Sequence, residues 1–526
     1  MSAHAVAAHA EPAARVGDWT SRVFWFGVLP LAVGLRLWGI ETQNLWLDEL
    51  YSIDVARKSL TEIVRCAAAD VHPPLFYVVL KAWMRLFGDG AAAVRSLSVA
   101  ASIAALVSAF RLIAPRYGGG AALTTTLLMA VSAHQIFFAQ EARMYAPVTA
   151  LVLGATHGYA LWREAGVERG LAVYFWCSLA ALYCHYFAAL AVLVFNLHVL
   201  LSAYGPTRAG TRRQVRRWLG VQVVTALLYA PWVGVMVAQM RRGQTWRKPL
   251  TLADAAWQAL GYLQETTLGH AVYLDHVREW LTKLFVENVA LPRSFFQQPL
   301  AFNVLFIVFL GGWAAWGLWR CLRLARTDVR AALPILLLVV PLSAASVLSL
   351  RKGGMELGRY LMFTTPAVWF LIAAGLHDIG VRWLRVVLIG FCVGGLFWQG
   401  ARVHYATTAR DSDLRPALAF IRQNLQPGDR VVIDPDAVDV CLNYYAPRYG
   451  LGEAVYPTQT VPTGEPNGHS QLDRLPLESA VQRAWVMLDY RSERFERLAV
   501  PGFQALRVMD FPSEYPKVRV VELRRQ

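Results

Sequence analysis

The stretch "LWLDELYSIDVARKSLTEIVRCAAADVHPPLFY", residues 45–77, decides how the rest of the chain is interpreted. It follows an almost uninterrupted apolar run that ends at Ile40, and it brings Asp48, Glu49 and His72 close to the end of that run. Such a run is typical of a transmembrane helix, and charged groups retained beside the hydrocarbon are often functional. The stretch therefore predicts a polar site at a membrane surface.

The composition of the whole chain agrees with a membrane protein. Hydrophobic residues make up 56% of the sequence and charged residues only 17%, and apolar runs of about 18 or more residues recur, which excludes a soluble globular domain. They predict about eleven transmembrane helices, the first of them a retained anchor. The candidate spans are residues 23–40, 96–114, 120–138, 146–162, 170–183, 186–203, 218–239, 300–319, 331–350, 360–376 and 385–401.

The net charge of +15 comes from arginines in short loops between these spans, and this distribution argues against nucleic acid as a partner. The arginine-rich loops alternate along the chain, and the positive-inside rule places all of them in the cytoplasm. The remaining polar segments then face outward: residues 41–95, 139–145, 184–186, 240–299, 351–359 and the tail from about 402.

This topology requires that the segment "HPPLFYVVLKAWMRLF", residues 72–87, does not cross the membrane. The segment is slightly short for a span and contains Lys81 and Arg85, so it is better interpreted as an amphipathic helix in the interface. If it crossed, every later basic loop would move to the outside.

Two regions differ from the helical bundle. The loop 240–299 contains the helical pattern "LADAAWQALGYLQ", and we expect short surface helices that act as a movable flap. The tail combines the helical "DLRPALAFIRQNL" with the strand-like "DRVVIDP", "RAWVMLDY" and "KVRVVEL". The prediction is a transmembrane domain over residues 1–404, including the first outer loop, and a soluble extracytoplasmic α/β domain over residues 405–526.

The first outer loop contains two candidate motifs. Adjacent Asp48 and Glu49 point about 100° apart on a helix, so one of them should face a cavity. Helix-capping or solvated acids explain the pair about as well. In "DVHPPLFY" the two prolines are suited to begin a helix, and His72 taken alone fits a capping or packing residue better than a ligand.

Two further motifs lie at the outward ends of later spans. "FFAQEARMYAP" contains Glu141, Arg143 and Tyr145, and the alternative interpretation is a surface ion cluster of little energetic value. "LYCHYF" contains His185 and Tyr186, and the alternative there is an interfacial aromatic belt.

The last motif is basic although it faces outward. "LRKGGMELGRYLMFTTP" contains Arg351, Lys352, Arg359 and Tyr360. Guanidinium groups bind phosphate oxygens bidentately, which favours a phosphate ligand, although nonspecific lipid head groups are the alternative. Because all of these motifs share one membrane face, together they predict a site for a lipid-phosphate donor at the outer surface.

The motifs "LDELYS", "HPPLFY", "QEARMYA", "CHYF" and "GRYL" resemble, in order and in position relative to the spans, those of the GT-C membrane glycosyltransferases. The resemblance is to glycosyltransferase family 39, which includes protein O-mannosyltransferases and lipid A aminoarabinose transferases. It covers the chain up to about residue 400 and is stronger in the first half. It implies a polytopic α-helical GT-C fold with juxtamembrane helices in the first outer loop, and a sugar donor on a polyprenyl phosphate.

By position, the resemblance also implies that Asp48 is the catalytic Asp of the first outer loop. The chain departs from some relatives of this fold, because the loop 240–299 is too short for a β-trefoil insertion and no "WWDYG" segment is present. A protein acceptor is therefore less supported than a lipid or glycan acceptor.

A mechanism follows from this assignment. We expect Asp48 to deprotonate the acceptor hydroxyl for an inverting attack, while Arg359, helped by Arg351 or Lys352, neutralises the departing phosphate. The expected substrate-binding residues are Glu49, His72, Glu141, Arg143, Tyr145, His185 and Tyr360.

Other functions remain as alternatives. A transporter or flippase for lipid-linked sugars also holds charges near its spans, and a non-catalytic protein that binds polyprenyl lipids would use the same groove. No cofactor is required by the motifs, and whether a divalent cation bridges the phosphate to Asp48 or Glu49 is left open. The expected location is the bacterial cytoplasmic membrane, with the active site and the C-terminal domain outside.

Overall fold

The computed structural model describes residues 18–204, 212–242, 249–269, 299–406, 413–434, 439–455, 472, 475–477, 479–492, 494, 496–512 and 516–526. Two compact units are present, one formed by Met1–Trp38 and Arg95–Ala406 and the other by Gly39–Val94 and Thr407–Gln526. The first outer loop therefore groups with the C-terminal residues. The domain division proposed from the sequence, at residues 404 and 405, stays a prediction.

Helices of the first unit follow the apolar runs of the sequence. In chain order they are Asp18–Val23 and Leu29–Leu37, joined by the π-helical turn Phe24–Val28, then Ala91–Tyr117, Gly119–Val131, Ala133–Ala139, Tyr145–Ala165, Glu168–Cys184, Ala188–Tyr204, Arg212–Arg242, Leu252–Leu268, Pro299–Ala325, Ala332–Lys352, Leu357–Tyr360, Thr365–Leu376 and Arg382–Gln399. Short 3-10 turns occur at Val329–Ala331 and Met362–Thr364, and a π-helical turn occurs at Gly400–Tyr405.

Several of these helices are long and apolar enough to cross a bilayer. Within the described ranges, five qualify by length and composition, and a sixth span results if the pair Gly119–Val131 and Ala133–Ala139, bent by 62°, is counted as one. The chain is therefore a multi-pass membrane protein. The count of about eleven spans stays a prediction, since it also includes shorter apolar helices such as Ala188–Ala203 and Met362–Leu376.

The bend within that pair is stabilised by a buried arginine. Arg36 donates hydrogen bonds to the carbonyl oxygens of Met129 at 3.1 Å and Ala130 at 3.0 Å, and to the Ser102 hydroxyl at 2.8 Å. These carbonyls belong to the last turn before the bend, where a helix has no partners of its own for them. Ser132 begins the next helix by accepting from the backbone N–H of Gln135 at 3.3 Å. Hydrogen bonds thus satisfy backbone groups on both sides of the bend: Arg36 bonds the carbonyls before it, and Ser132 bonds an N–H group after it.

The second unit combines three helices of the first outer loop with a small α/β fold. The loop helices are Leu47–Arg57, Leu60–Ala69 and Leu75–Phe87, and the C-terminal helices are Arg415–Asn424 and Asp439–Tyr445. The four-stranded sheet has the order β1-β2-β4-β3, with β1 Arg430–Asp434, β2 Arg483–Asp489, β3 Phe503–Pro512 and β4 Pro516–Arg525.

Only the β1–β2 pair of this sheet is parallel; the described pairs β2–β4 and β3–β4 are antiparallel. The helix and the three strands predicted for the tail are confirmed. Strand β3 was not predicted, because it is an edge strand whose residues 504–508 are all exposed, so its sequence lacks the alternation of a half-buried strand.

The helix Leu75–Phe87 confirms the interpretation of "HPPLFYVVLKAWMRLF" as a segment that does not span. Its 13 residues extend about 20 Å, well short of the roughly 30 Å of hydrocarbon. Lys81, which the sequence assigned to the interface, donates to the carbonyl oxygens of Ala56 at 3.3 Å and Lys58 at 2.5 Å. It therefore caps the C-terminus of the helix Leu47–Arg57.

Candidate functional site

In the first unit, the "QEARMY" motif forms the turn that follows the bent pair of helices. Glu141 and Arg143 are only 1% and 4% exposed, which is incompatible with a surface ion cluster. The backbone N–H of Arg143 donates to the carbonyl of Glu141 at 2.8 Å, and its own carbonyl accepts from the Ser98 hydroxyl at 3.3 Å. The turn is thus held rigidly, with both charged side chains directed into the protein.

An aromatic cluster lies beside this turn, formed by Tyr145, His185, Phe187 and Tyr360. The ring centroids of Tyr145 and His185 are 6.0 Å apart, and both rings approach Tyr360, at 6.3 Å and 5.5 Å. Phe187 stacks on Tyr360 at 5.5 Å with an interplanar angle of 28°. Three residues predicted from separate motifs therefore meet, and Phe187, which was not predicted as a site residue, completes the group.

His185 is a neutral member of this cluster. It lies between the helices Glu168–Cys184 and Ala188–Tyr204, where burial and then the charge of Arg143 lower its pKa to about 3. Its Nδ1 accepts from the backbone N–H of Phe187 at 3.2 Å, so the proton of the neutral ring is on Nε2. The residue is a hydrogen-bond donor at Nε2 and does not supply a positive charge.

Besides Arg143, a positive charge beside the cluster comes from Arg359. Its side chain is only 14% exposed and pairs with Glu356 at 2.5 Å. The guanidinium carbon also lies 5.9 Å from the centroid of the Tyr145 ring, within the range of a cation–π contact. Arg359 is thus a mostly buried charge that lies against the ring of Tyr145.

The other two basic residues of that motif are placed differently. Arg351 and Lys352 are exposed in the last turn of the helix Ala332–Lys352, where cations favour the helix dipole. Lys352 donates to the backbone carbonyl of Met240 at 3.4 Å. Their part in phosphate binding stays a prediction.

One acid of this site was not found from the sequence. Glu265, in the helix Leu252–Leu268, packs against Gly358 so closely that a Cβ at that position would lie 1.6 Å from its Oε2 atom. Burial, and then the charge of Glu356, raise the pKa of Glu265 to about 7, while Arg359 opposes the shift. In the sequence Glu265 resembles an ordinary solvated residue of an amphipathic helix, because only the tertiary contact with Gly358 distinguishes it.

The same helix corresponds to the predicted flap. Gln258 donates to the carbonyl of Met355, and the hydroxyls of Tyr262 and Thr364 are 2.5 Å apart. The helical pattern is therefore confirmed, while movement of the flap stays a prediction. Residues 243–248 and 270–298 of this loop lie outside the described residues.

In the second unit, Asp48 and Glu49 occupy the first turn of the helix Leu47–Arg57. Glu49 is fully buried, and its carboxylate accepts from the backbone N–H of Trp46 at 3.4 Å, so it serves as a helix cap. Asp48 is half-buried. The adjacent acids therefore have separate environments, and only Asp48 retains access to solvent.

His72 is buried just before the helix Leu75–Phe87, for which Pro74 is the N-cap residue. The prolines begin the helix as expected, and His72 is therefore not its cap. Its assignment to a substrate cavity stays a prediction.

The described residues contain no group of three or more His, Cys, Asp or Glu side chains arranged to hold a metal ion. Asp48 and Glu49 do not fit a shared cation either, since Glu49 is directed to the backbone of Trp46. We therefore derive no step through a metal.

The predicted site residues fall into two groups, one in each unit. Those of the first unit that lie close together are Tyr145, His185, Arg359 and Tyr360, with Arg143 near enough to His185 to lower its pKa. Asp48, Glu49 and His72 belong to the second unit. Whether both groups serve one cavity stays a prediction.

Comparison with known proteins identifies the fold. The crystal structure of ArnT from Cupriavidus metallidurans in the apo state is similar, with a TM-score of 0.55 and 14% identity over 95% of this chain and 98% of that chain. The same ArnT bound to undecaprenyl phosphate has a TM-score of 0.46 at 14% identity, with equal coverage. An Archaeoglobus fulgidus oligosaccharyltransferase tethered with an acceptor peptide has a TM-score of 0.47 and 13% identity over 86% of this chain and 61% of that chain.

The sequence itself matches no protein-family model and no curated protein. The similarity to apo ArnT nevertheless extends over nearly the full length of both chains. The fold predicted from the motifs is thereby confirmed, and the chain is a polytopic membrane protein with the GT-C glycosyltransferase fold.

Proposed function

We propose that this protein transfers a sugar from a polyprenyl-phosphate donor to an acceptor hydroxyl or phosphate on a lipid, glycan or protein, at the outer face of the bacterial cytoplasmic membrane. The observation that carries the proposal is Arg359, a mostly buried guanidinium beside the rings of Tyr145, His185 and Tyr360. A few convergent polar groups in a mainly aromatic surround are typical of a small-ligand site. The charge suits a phosphate, and the rings suit the apolar faces of a sugar or the first prenyl unit.

The ion pair between Arg359 and Glu356 is compatible with phosphate binding. Glu356 is 46% exposed, so it can turn to water when a phosphate takes its place on the guanidinium. In the absence of donor, the same pair holds Arg359 in position. Charge-assisted hydrogen bonds of about 1.5 to 3 kcal/mol each then favour the phosphate.

The chemistry needs one base and no acid. Asp48 takes the proton from the acceptor hydroxyl, the acceptor oxygen attacks the anomeric carbon, and the bond from that carbon to the phosphate oxygen breaks with both electrons leaving on the phosphate. Inverting glycoside hydrolases need a second carboxyl group besides the base, because their leaving group must be protonated. Here Glu49 is engaged in capping its helix, which supports a single-base reaction.

The lipid class of the donor is supported by the GT-C fold. The ArnT whose apo structure has this fold was also crystallised with undecaprenyl phosphate, the kind of product that such a transfer would release. The sugar, a hexose or a pentose, and the acceptor would first be identified by mass spectrometry of lipids, glycans and envelope proteins from cells with and without this protein.

Turnover of the purified protein with that donor and acceptor tests the base. Asp48→Asn is expected to reduce transfer to a small residual rate while donor binding persists, because the side chain keeps its shape and loses only its basicity. Asp54→Asn is the matched control, since Asp54 lies in the same helix and pairs on the surface with Lys58. Near-normal turnover of D48N would exclude Asp48 as the base. Failure of the wild-type protein to release polyprenyl phosphate would favour a flippase or a lipid-binding protein.

A further inference from the structure

The backbone that leads into the Asp48 helix is buried but has no regular structure. Residues 44–46 are neither helix nor strand, and Asn44 and Leu45 are almost completely buried. Backbone N–H and C=O groups buried in this way need hydrogen-bond partners from outside their own segment. The position of Asp48, three residues further on, depends on what supplies those partners.

The Leu45 N–H and C=O groups both bond to one side chain of the C-terminal fold, and the carbonyl also accepts from the Asn44 side-chain amide at 3.4 Å. The Leu45 N–H donates to the Tyr445 hydroxyl oxygen at 2.7 Å, and the Tyr445 hydroxyl donates to the Leu45 carbonyl at 3.2 Å. A hydroxyl can fill both roles only while it remains protonated. Burial raises the pKa of Tyr445, which keeps it protonated at every physiological pH.

The other end of the same helix is also held from the C-terminal fold. Arg57, its last residue, pairs with Asp89, and Asp89 pairs with Arg448 at 2.8 Å. The Tyr444 hydroxyl donates to the carbonyl of Asp89 at 2.9 Å, and the Arg448 guanidinium lies 3.6 Å from the centre of the Tyr444 ring. The segment that leads into the helix Leu47–Arg57 and the last residue of that helix are thus both connected to residues 444–448.

We propose that the C-terminal fold is part of the catalytic apparatus, and that Tyr445 is the positioning residue that sets the orientation of Asp48 by holding the backbone of Leu45. The inference rests on the proposed role of Asp48 as the base. Loss of the hydroxyl removes the partner of the buried Leu45 N–H and leaves its carbonyl with only the longer bond from Asn44, so the segment shifts to satisfy the N–H elsewhere. A displacement of about 1 Å at a reacting group can lower a rate about 100-fold.

Tyr445→Phe tests the proposal in the full-length protein, because it removes one oxygen and keeps the ring. We expect kcat to fall by about 10-fold to 100-fold while KM for the donor stays near the wild-type value. Ser492→Ala is the matched control, since Ser492 donates a buried hydrogen bond to Asp434 within the same fold, far along the chain from the Leu45 contact. It is expected to lower the Tm comparably while kcat is unchanged.

A second readout separates positioning from a general loss of stability. If Tyr445 acts through Asp48, then Y445F lowers the residual rate of the D48N background much less than it lowers the wild-type rate. Equal reductions in both backgrounds, or a kcat for Y445F within twofold of that for S492A, would overturn the inference. If Y445F does not fold, Asp89→Asn tests the other end of the helix, and a normal kcat for D89N would overturn the inference.

The two proposals fail differently in these experiments. Normal turnover of D48N removes the base assignment and the inference with it. An inactive D48N together with a fully active Y445F removes only the role of Tyr445.

Discussion

Glu265 provides a test of the proposed phosphate site through pH. Its carboxyl contacts Gly358 and lies near Arg359 and Glu356, and burial raises its pKa to about 7. When Glu265 is ionised, two carboxylates oppose one guanidinium, so a phosphate approaching Arg359 is repelled. When Glu265 is protonated, that repulsion is reduced. We therefore expect donor affinity to fall as the pH rises through about 7.

The size of the effect follows from the titration. With a pKa of about 7, roughly nine-tenths of Glu265 is protonated at pH 6 and roughly one-tenth at pH 8. If only the protonated form binds the donor, affinity falls about tenfold between these pH values, which is the upper limit of the effect. The proposed donor is a phosphodiester, so its own charge stays constant over this range.

The assay is binding of an inert methyl diester of a short-chain polyprenyl phosphate from pH 6 to pH 8. Glu265→Gln, which imitates the protonated carboxyl, is expected to bind as the wild type does at pH 6 and to lose the pH dependence. Glu164→Gln is the control, since burial also raises the pKa of Glu164, which pairs with Arg116 instead. A slope in E265Q equal to that of the wild type would refute the reasoning.

The same titration affects stability with a defined sign. Because the pKa of Glu265 is raised on folding, the native state binds more protons than the unfolded state between about pH 4.5 and pH 7. Stability therefore falls as the pH rises through that window, by at most about 3 kcal/mol, and levels off above it. E265Q removes this dependence, which the Tm of the detergent-solubilised protein at each pH would report.

Three further predictions concern other parts of the chain. Arg359→Ala should weaken donor binding about 10-fold to 150-fold, and Arg359→Lys should recover only part of that loss. Arg351→Ala should have little effect on donor binding. Equal, small effects of the two alanine variants on donor affinity would remove Arg359 from the site. Arg36→Met should lower the free energy of unfolding by at least about 3 kcal/mol, because it leaves the Ser102 hydroxyl and two carbonyls without this donor; an unchanged unfolding midpoint in detergent would contradict this. In a cysteine-free background, a cysteine introduced at exposed Thr327 should be shielded from an impermeant thiol reagent in intact cells. A cysteine introduced at exposed Leu252 should be labelled. The reverse labelling pattern would invert the proposed topology.

Much of the architecture could be predicted because it depends on local pattern. The length of an apolar run is enough to identify a spanning helix, and two prolines followed by an amphipathic stretch identified the helix Leu75–Phe87. Strand β3 escaped prediction because an exposed edge strand need not alternate. The 62° bend escaped for a different reason, since Arg36, which stabilises it, lies more than 90 residues earlier in the chain.

The candidate site could be predicted in part. Tyr145, His185 and Tyr360 were chosen from separate motifs, and the structure brings their rings together. Glu265 and Tyr445 were missed because each matters only through a residue distant in sequence, 400 positions away for the bond between Tyr445 and Leu45. Periodicity carries no signal for such contacts.

The composition of the second unit has a consequence for the order of synthesis. Its early part, Gly39–Val94, is translated long before its late part, Thr407–Gln526. At about 5 to 20 residues per second, the ribosome needs on the order of half a minute to make the chain between them. Throughout that interval the Leu45 N–H lacks the Tyr445 hydroxyl that accepts its hydrogen bond in the complete protein. A nascent or truncated chain can therefore insert its membrane helices before the hydrogen bonds between Leu45 and Tyr445 form. The Asp48 segment reaches its final position only after the C-terminal residues have been synthesised.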